Sequence, residues 1–422
     1  MRISFPYPDT PDLAIPDQNL LGVYGPAKTG GTEPADAIIE RSLLHPIGRP
    51  PLRDVARGKS RVMIVCDDVA RPTPAWQVIP SVLRELDAGG VAEENVEFMM
   101  ALGTHRPMTP EEMRQKVGAD VFERFPVYNH EWDNPGLLTC MGKTPQGVEV
   151  WVNRKVVEAD CVIGIGRIMP IDMCGFTGGG KILIPGCCGE TTLDDMHWIR
   201  VDVADEDVIG QRDNPVRAAI DAMARQAGLD FIVNIIMNSE KNVLDCVSGH
   251  LESAHREGCR RARPYHEVRI PETPDIVVVD GFPFDIEFWQ VNKAVDTAGL
   301  VVRDGGVVIC VSPCYEGLSR THADVVLRYG YRPREEIKQL VARGMIRPKV
   351  VGVHMIQVAH VAIEKATVIL VTDGIREEDV SRLGLEYAPS PQEALTQAFA
   401  RVGTDARVAV LRGASETLPV VG

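Results

Sequence analysis

Arg61-Val62-Met63-Ile64-Val65-Cys66, running straight into Asp67-Asp68-Val69-Ala70-Arg71-Pro72-Thr73-Pro74, is the stretch on which the fold turns. A short continuous apolar run reads as a buried strand. Charged groups gather at its carboxyl end, which is where open α/β sheets bind ligands. A second strand, Val96-Glu97-Phe98-Met99-Met100-Ala101-Leu102, delivers Gly103-Thr104-His105-Arg106-Pro107. A helix follows, with Thr109 as N-cap, Pro110 as its first residue and Glu112 completing a capping box. A third strand, Cys161-Val162-Ile163-Gly164-Ile165-Gly166, leads to Arg167. Three strands ending in polar loops predict one shared cleft.

Beyond the third strand lies Gly175-Phe176-Thr177-Gly178-Gly179-Gly180-Lys181, with His197 sixteen residues past the lysine. Consecutive glycines let backbone N–H groups approach an anion, and a desolvated lysine is a nucleophilic amine. The segment reads as a site for a phosphorylated cofactor. Gly175, Gly180 and Lys181 nearly meet the nucleoside-triphosphate loop pattern, but Ile182 stands where a hydroxyl would hold magnesium. Ile182-Leu183-Ile184-Pro185-Gly186 is also apolar, β-rich and closed by Pro-Gly, where that pattern needs a helix. A kinase or ATPase is therefore the weaker reading.

Taken in order, these motifs resemble the nickel-dependent lactate racemase family, whose members racemise or epimerise 2-hydroxy acids. The resemblance runs from about Asp67 to the region of Gln357, and it implies two α/β domains with a cofactor and substrate cleft between them. Asp68 and Arg71 match the family's carboxylate and arginine, and His105 its catalytic histidine. Lys181 matches the lysine that carries the tethered cofactor, and His197 the nickel ligand. Asp68, Thr177, Gly178, Gly179 and Gly180 would help hold that cofactor. Trp289-Gln290-Val291-Asn292-Lys293 approximates a Tyr-Gln-x-x-Lys pattern, so Trp289, Gln290 and Lys293 would meet the substrate, Lys293 also serving the chemistry.

Two departures stand out. A second catalytic histidine usually follows the proline at position 170, and here Ile171 and Asp172 do. His354 replaces the family's tryptophan three residues before Gln357. Both imply a remodelled substrate pocket and a substrate other than lactate. Asp172, His354, His130 or a bound water would supply the second base, and the sequence does not choose.

The cofactor implied is a nickel-pincer pyridinium mononucleotide, tethered covalently to Lys181 and loaded by cofactor-maturation enzymes. Soft sulfur donors plus one imidazole suit planar Ni(II), so His197 alone would suffice from the protein. The phosphate would lie against the glycine N–H groups. In the implied reaction a base takes the hydroxyl proton while the α-hydrogen leaves as hydride, and hydride return to the other face of the planar 2-keto acid inverts the centre. Starting from either enantiomer puts the hydroxyl on a different side, hence two bases. Arg71, Lys293 and His354 would line the bound acid. The alternatives are a one-sided 2-hydroxy-acid oxidoreductase, or a cofactor-binding or carrier protein without turnover.

Each residue alone has a plainer reading. Asp68 could cap a turn before Pro72, His105 could be satisfied by backbone, and His197 could be a half-buried helix residue. Gln290 and Lys293, three apart on a predicted helix, could form a solvated face. The order and context of the set carry the case.

The 422 residues bear a net charge of -14, which argues against general nucleic-acid or anionic-membrane binding. Ten scattered cysteines, with Cys187 and Cys188 adjacent, form neither a disulfide framework nor a zinc pattern and suggest a reduced compartment. Met1-Arg2-Ile3-Ser4-Phe5-Pro6 opens no apolar leader, so a cytoplasmic location is expected. Basic residues with Pro264, Pro271 and Pro274 mark Glu252 to Pro274 as the least packed region. The expected first domain is thus residues 1–265, and the second 274–422, its last segment returning to the first. Asp275-Ile276-Val277-Val278-Val279-Asp280, Val307-Val308-Ile309-Cys310-Val311, Val368-Ile369-Leu370-Val371 and Val408-Ala409-Val410-Leu411 read as its buried strands.

Overall fold

The computed structural model describes residues 1–28, 30, 31 and 33–422. Two six-stranded sheets organise it. In the first, the spatial order is Val243–Gly249, Leu229–Met237, Cys161–Arg167, Val62–Asp67, Val96–Ala101, Val127–Asn129, parallel throughout except for the first pair. The chain lays down Val62–Asp67, steps outward through two strands, then crosses back to its other side with Cys161–Arg167. Loops leaving the two strands at such a reversal diverge and open a crevice beyond their carboxyl ends. Cys161–Arg167 is buried at every position, as befits a parallel strand covered on both faces.

The second sheet runs Glu386–Tyr387, Thr367–Val371, Val307–Val311, Ile276–Asp280, Val408–Leu411, Leu20–Tyr24, all parallel, with the same kind of reversal between Ile276–Asp280 and Val408–Leu411. Leu20–Tyr24 lies at its edge, so the first residues of the chain belong with the second sheet and not with the first domain, where they were expected. The reason is a long-range pairing with Val408–Leu411 that no local pattern announces. Leu418–Val421 pairs with Glu267–Ile270 at the join between the halves.

Six helices bear on the site: α1 (Pro110–Val117), α2 (Glu190–Trp198), α3 (Pro215–Gln226), α4 (Ser253–His266), α5 (Phe288–Gly299) and α6 (Lys349–Ala359). The capping box of Thr109 and Glu112 opens α1 as expected, and the Asn214 side chain caps α3 by accepting from Arg217 N–H. The region expected to be loosely packed forms α4 instead. Ala254, His255, Gly258, Cys259 and Ala262 make a buried helical stripe, and Pro264 lies in the last turn, just before the helix ends. Residues 182–186 form no strand. Gly180 O accepts from the N–H groups of Leu183 at 3.1 Å and Ile184 at 3.0 Å, winding the run into a compact turn with both side chains fully buried. Among the described residues no helix is long and apolar enough to cross a membrane.

Candidate functional site

Asp68 and His105 stand on neighbouring loops at the first reversal point. Asp68 is 4% exposed, and its Oδ2 lies 2.5 Å from His105 Nδ1. A carboxylate can only accept, so Nδ1 carries the proton and Nε2 is left as the basic nitrogen. Burial pushes the Asp68 pKa up, but His105, Arg71 and Lys116 together outweigh it and hold the carboxyl below its ordinary range. The loop is stapled from beneath by Lys116 of α1. Its Nζ is 2.7 Å from Asp67 Oδ1 and donates to the carbonyls of Arg71 at 2.8 Å and Thr73 at 3.1 Å. Lys116 was missed in the sequence, although a lysine sharing the buried stripe of α1 with Met113 and Val117 was the available signal.

The glycine segment turns out to be packed against protein. Thr177 Oγ1 donates to Arg167 O at 2.7 Å and accepts from Met169 N–H at 3.0 Å, and Gly179 N–H donates to Asn234 Oδ1 at 2.8 Å. A Cβ on Gly179 would lie 2.8 Å from the His255 ring, and one on Gly180 2.9 Å from the Ala224 methyl. The Thr177 hydroxyl and the Gly179 N–H are thus engaged within the protein, and Gly179 and Gly180 allow close packing. The triphosphate-loop alternative fails, because Gly179–Ile182 is a single 3-10 turn and the next α-helix begins at Glu190.

A buried charge network holds this turn. Arg217, fully buried, donates to the carbonyls of Phe176 and of Gly178, the latter at 3.2 Å, and His255 Nε2 donates to Thr177 O at 2.9 Å. Asp221 balances Arg217 at 3.6 Å and Arg256 at 2.7 Å. None of these was read from the sequence, where Arg217 looks like any helix arginine.

Lys181 emerges from that turn. Burial depresses its pKa below the ordinary lysine range, and the nearby Arg71 and Arg217 push the same way. Burial likewise lowers His197 to about 4, against the bond from its ring to Leu193 O and with Lys181 adding to the effect. His197 is therefore a neutral imidazole. Its Nδ1–H donates to Leu193 O at 2.7 Å, which leaves Nε2 as a free lone pair. Asp172, at the hairpin turn between Pro170–Ile171 and Gly175–Phe176, influences both Lys181 and His197. Gln357 Nε2 reaches its Oδ2 at 3.4 Å, while its buried Oδ1 has no hydrogen-bond partner among the described residues.

The second half of the chain supplies the facing wall. On α5, Lys293 Nζ donates to Gln290 Oε1 at 2.6 Å, and burial brings Lys293 down to about 8 despite the counter-pull of Asp172. Trp289 stacks on His354 of α6 with ring centres 4.1 Å apart and planes 21° from parallel. Tyr331 Oη lies 3.3 Å from His354 Nε2, and burial, helped by Lys293 and His322, lowers His354 to about 3. His130 is elsewhere: it is 1% exposed, with Nε2 on Cys188 O at 2.9 Å and Nδ1 on Asn153 Nδ2 at 3.2 Å. A histidine satisfied on both nitrogens has no free base, which removes it from the candidates.

The fold and the site together define a two-domain α/β enzyme whose site carries a lysine and an imidazole of lowered proton affinity beside a carboxylate-oriented histidine. Residues 9–207 match the lactate racemase N-terminal domain and residues 271–416 the lactate racemase C-terminal domain. The chain belongs to the lactate racemase family, and its class is that of the racemases. It is 28% identical to the lactate racemase of Thermoanaerobacterium thermosaccharolyticum, over 94% of each chain. It is 26% identical to that of Lactiplantibacillus plantarum, over 97% of this chain and 98% of the relative. The structure of the T. thermosaccharolyticum lactate racemase apoprotein superposes with a TM-score of 0.87 at 26% identity, covering all of both chains. A Thermotoga maritima protein shares the fold, with a TM-score of 0.73 at 23% identity over 93% of this chain and all of its own.

Proposed function

We propose that this chain is a nickel-pincer-dependent racemase or epimerase of a 2-hydroxy acid other than lactate, working through a 2-keto acid. The observation that carries the reading is that His197, its ring tied to Leu193 O with Nε2 left free, and Lys181 both have their proton affinity lowered by desolvation, Lys181 adding to the effect on His197. A neutral amine is the form that can be acylated, and a neutral imidazole with one nitrogen tied to backbone is the form that ligates a metal. Among the described residues no three or more His, Cys, Asp or Glu side chains stand where they could hold a metal themselves. The donor set thus suits a metal whose other ligands come from a tethered cofactor. When bound, that group supplies a hydride acceptor and donor.

The chain's own residues do the rest. His105 Nε2, oriented by Asp68, takes the substrate hydroxyl proton on one side. Asp172, with its unpartnered Oδ1, serves the other side, where Ile171 offers no base, and Gln357 steadies it. Arg71 and Lys293 hold the substrate carboxylate, the arginine in a bidentate grip. Trp289, His354 and Tyr331 form a neutral wall that excludes water. A wall built of rings suits an acid with a larger or more polar side chain than a methyl group. The domain join falls between residues 265 and 274.

The test is the intact mass and nickel content of protein made beside the maturation enzymes. An adduct on Lys181 with about one nickel per chain, absent from Lys181→Ala, is expected. No adduct, while a control family member loads, would remove the reading. Incubating loaded enzyme with single epimers of 2-hydroxy acids should then yield both epimers, which a one-sided oxidoreductase or a carrier would not do.

A further inference from the structure

α6 begins at Lys349, and the first backbone N–H groups of a helix have no partner within it. Pro348, which precedes it, offers no side-chain acceptor. The carboxylate of Asp194, on α2 in the other half of the molecule, takes two of these groups: Lys349 N–H at 2.7 Å through Oδ2 and Val350 N–H at 2.6 Å through Oδ1. Asp195 adds an ion pair to Lys349 Nζ at 2.5 Å. A carboxylate at this place also faces the positive end of the helix dipole.

The other end of α6 is tied to the same partner. Gln357 meets Asp172, and just beyond, His360 Nε2 lies 4.0 Å from Asp205 Oδ2. Between these ties α6 carries His354 and Gln357, while Asp194 stands one turn before His197 on α2. Close fit supports the contact, since a Cβ on Gly352 would lie 3.2 Å from the Trp198 ring and 2.6 Å from Val341. One carboxylate therefore sits between the helix of the candidate metal ligand and the helix of the candidate substrate wall.

We infer that Asp194 is a positioning residue, which by capping α6 across the domain join sets where His354 and Gln357 stand relative to His197 and Asp172. Its catalytic consequence rests on the racemase reading; its geometric content does not. Asp194→Ala removes both acceptors and Asp194→Asn keeps one. In the apoprotein, amide exchange at Lys349 and Val350 should be slow at both in wild type, slow at only one of them in Asp194→Asn, and fast at both in Asp194→Ala. The His354 ring resonance should stay flat between about pH 5 and 8 in wild type, its site being too buried to protonate, and begin to titrate in Asp194→Ala. In loaded enzyme, Asp194→Ala should raise KM about tenfold with the Lys181 adduct intact, and Asp194→Asn by no more than about threefold.

Faster exchange with an unmoved His354 resonance would make the cap purely local and overturn the inference, as would an unmoved resonance with an unchanged KM. If wild type takes up no adduct, the racemase reading falls, and the apoprotein resonances still decide on Asp194. Should Asp194→Ala fail to fold, Asp194→Ser, a shorter cap, reads the same shifts at smaller size.

Discussion

Both sheets reverse their strand order, yet their two crevices have opposite fates. In the first, Asp67 is neutralised from below by Lys116, while Asp68 orients His105 and the Arg71 guanidinium, which donates to Ala70 O at 3.2 Å, pairs with no carboxylate among the described residues. In the second, Asp280 occupies the corresponding strand end, but its Oδ2 pairs with Arg412 at 3.0 Å and its Oδ1 accepts from Gly413 N–H at 3.2 Å. Arg412 in turn lies over the Phe5 ring at 5.4 Å and donates to Ser4 O, and Tyr7 is buried near Asp280. The first residues of the chain plug that crevice. Topology makes a place for a site; whether charges there are satisfied within the protein decides if it is one.

The largest effect that would sharpen this contrast is at the open crevice. His105→Ala should lower turnover by at least about a hundredfold while leaving the Lys181 adduct mass unchanged, since only a proton acceptor is lost. An unchanged rate in loaded enzyme would break the assignment of the open crevice as the reacting one. At the plugged crevice, Arg412→Met should leave Asp280 buried without its cation. Thermal or denaturant unfolding should then show a loss of about 2–3 kcal/mol, discounted because the arginine is partly exposed, with KM and kcat of the folded fraction unmoved. A kinetic defect there would mean that the second crevice is not inert.

A smaller effect concerns pH. Lys293 is protonated below about 8 and neutral above it, so its attraction for a substrate carboxylate is present at neutral pH and fades as pH rises through about 8. KM should therefore climb roughly tenfold per pH unit above that point, and Lys293→Arg should flatten the rise. A KM insensitive to pH up to about 9.5 would remove Lys293 from carboxylate binding. The smallest effect is at the wall: His354→Ala should change KM by a few-fold and shift the ranking of 2-hydroxy acids, with cofactor loading untouched. Loss of loading in that variant would show that the wall also builds the cofactor site.

Much of this molecule is local enough to read directly. The apolar runs at residues 62–67, 96–101 and 161–167 form adjacent parallel strands, and Thr109 and Glu112 announce their helix start. The candidate site residues were picked out by motif order, because glycine, lysine and histidine at those spacings are unusual together. What escaped has a different character. Lys116, Arg217, Asp221 and His255 hold the loops through contacts with residues far away in sequence, so their surroundings gave no cue. Leu20–Tyr24 joins a sheet whose other strands begin more than two hundred residues later.

The sequence by itself determined the adjacent strands of the first sheet, the start of α1, the order of the motif residues, and the absence of a histidine after Pro170, because each depends on neighbours within a turn or a strand. Only the tertiary structure decided which groups are charged and which crevice is open. Lys181, His197 and His354 owe their low proton affinity to desolvation by residues from distant segments. Within the glycine run, Gly179 and Gly180 pack against His255 of α4 and Ala224 of α3, residues far off in sequence. Burial is a property of the assembled fold, and it is burial that lowers the proton affinity of an otherwise ordinary lysine and histidine.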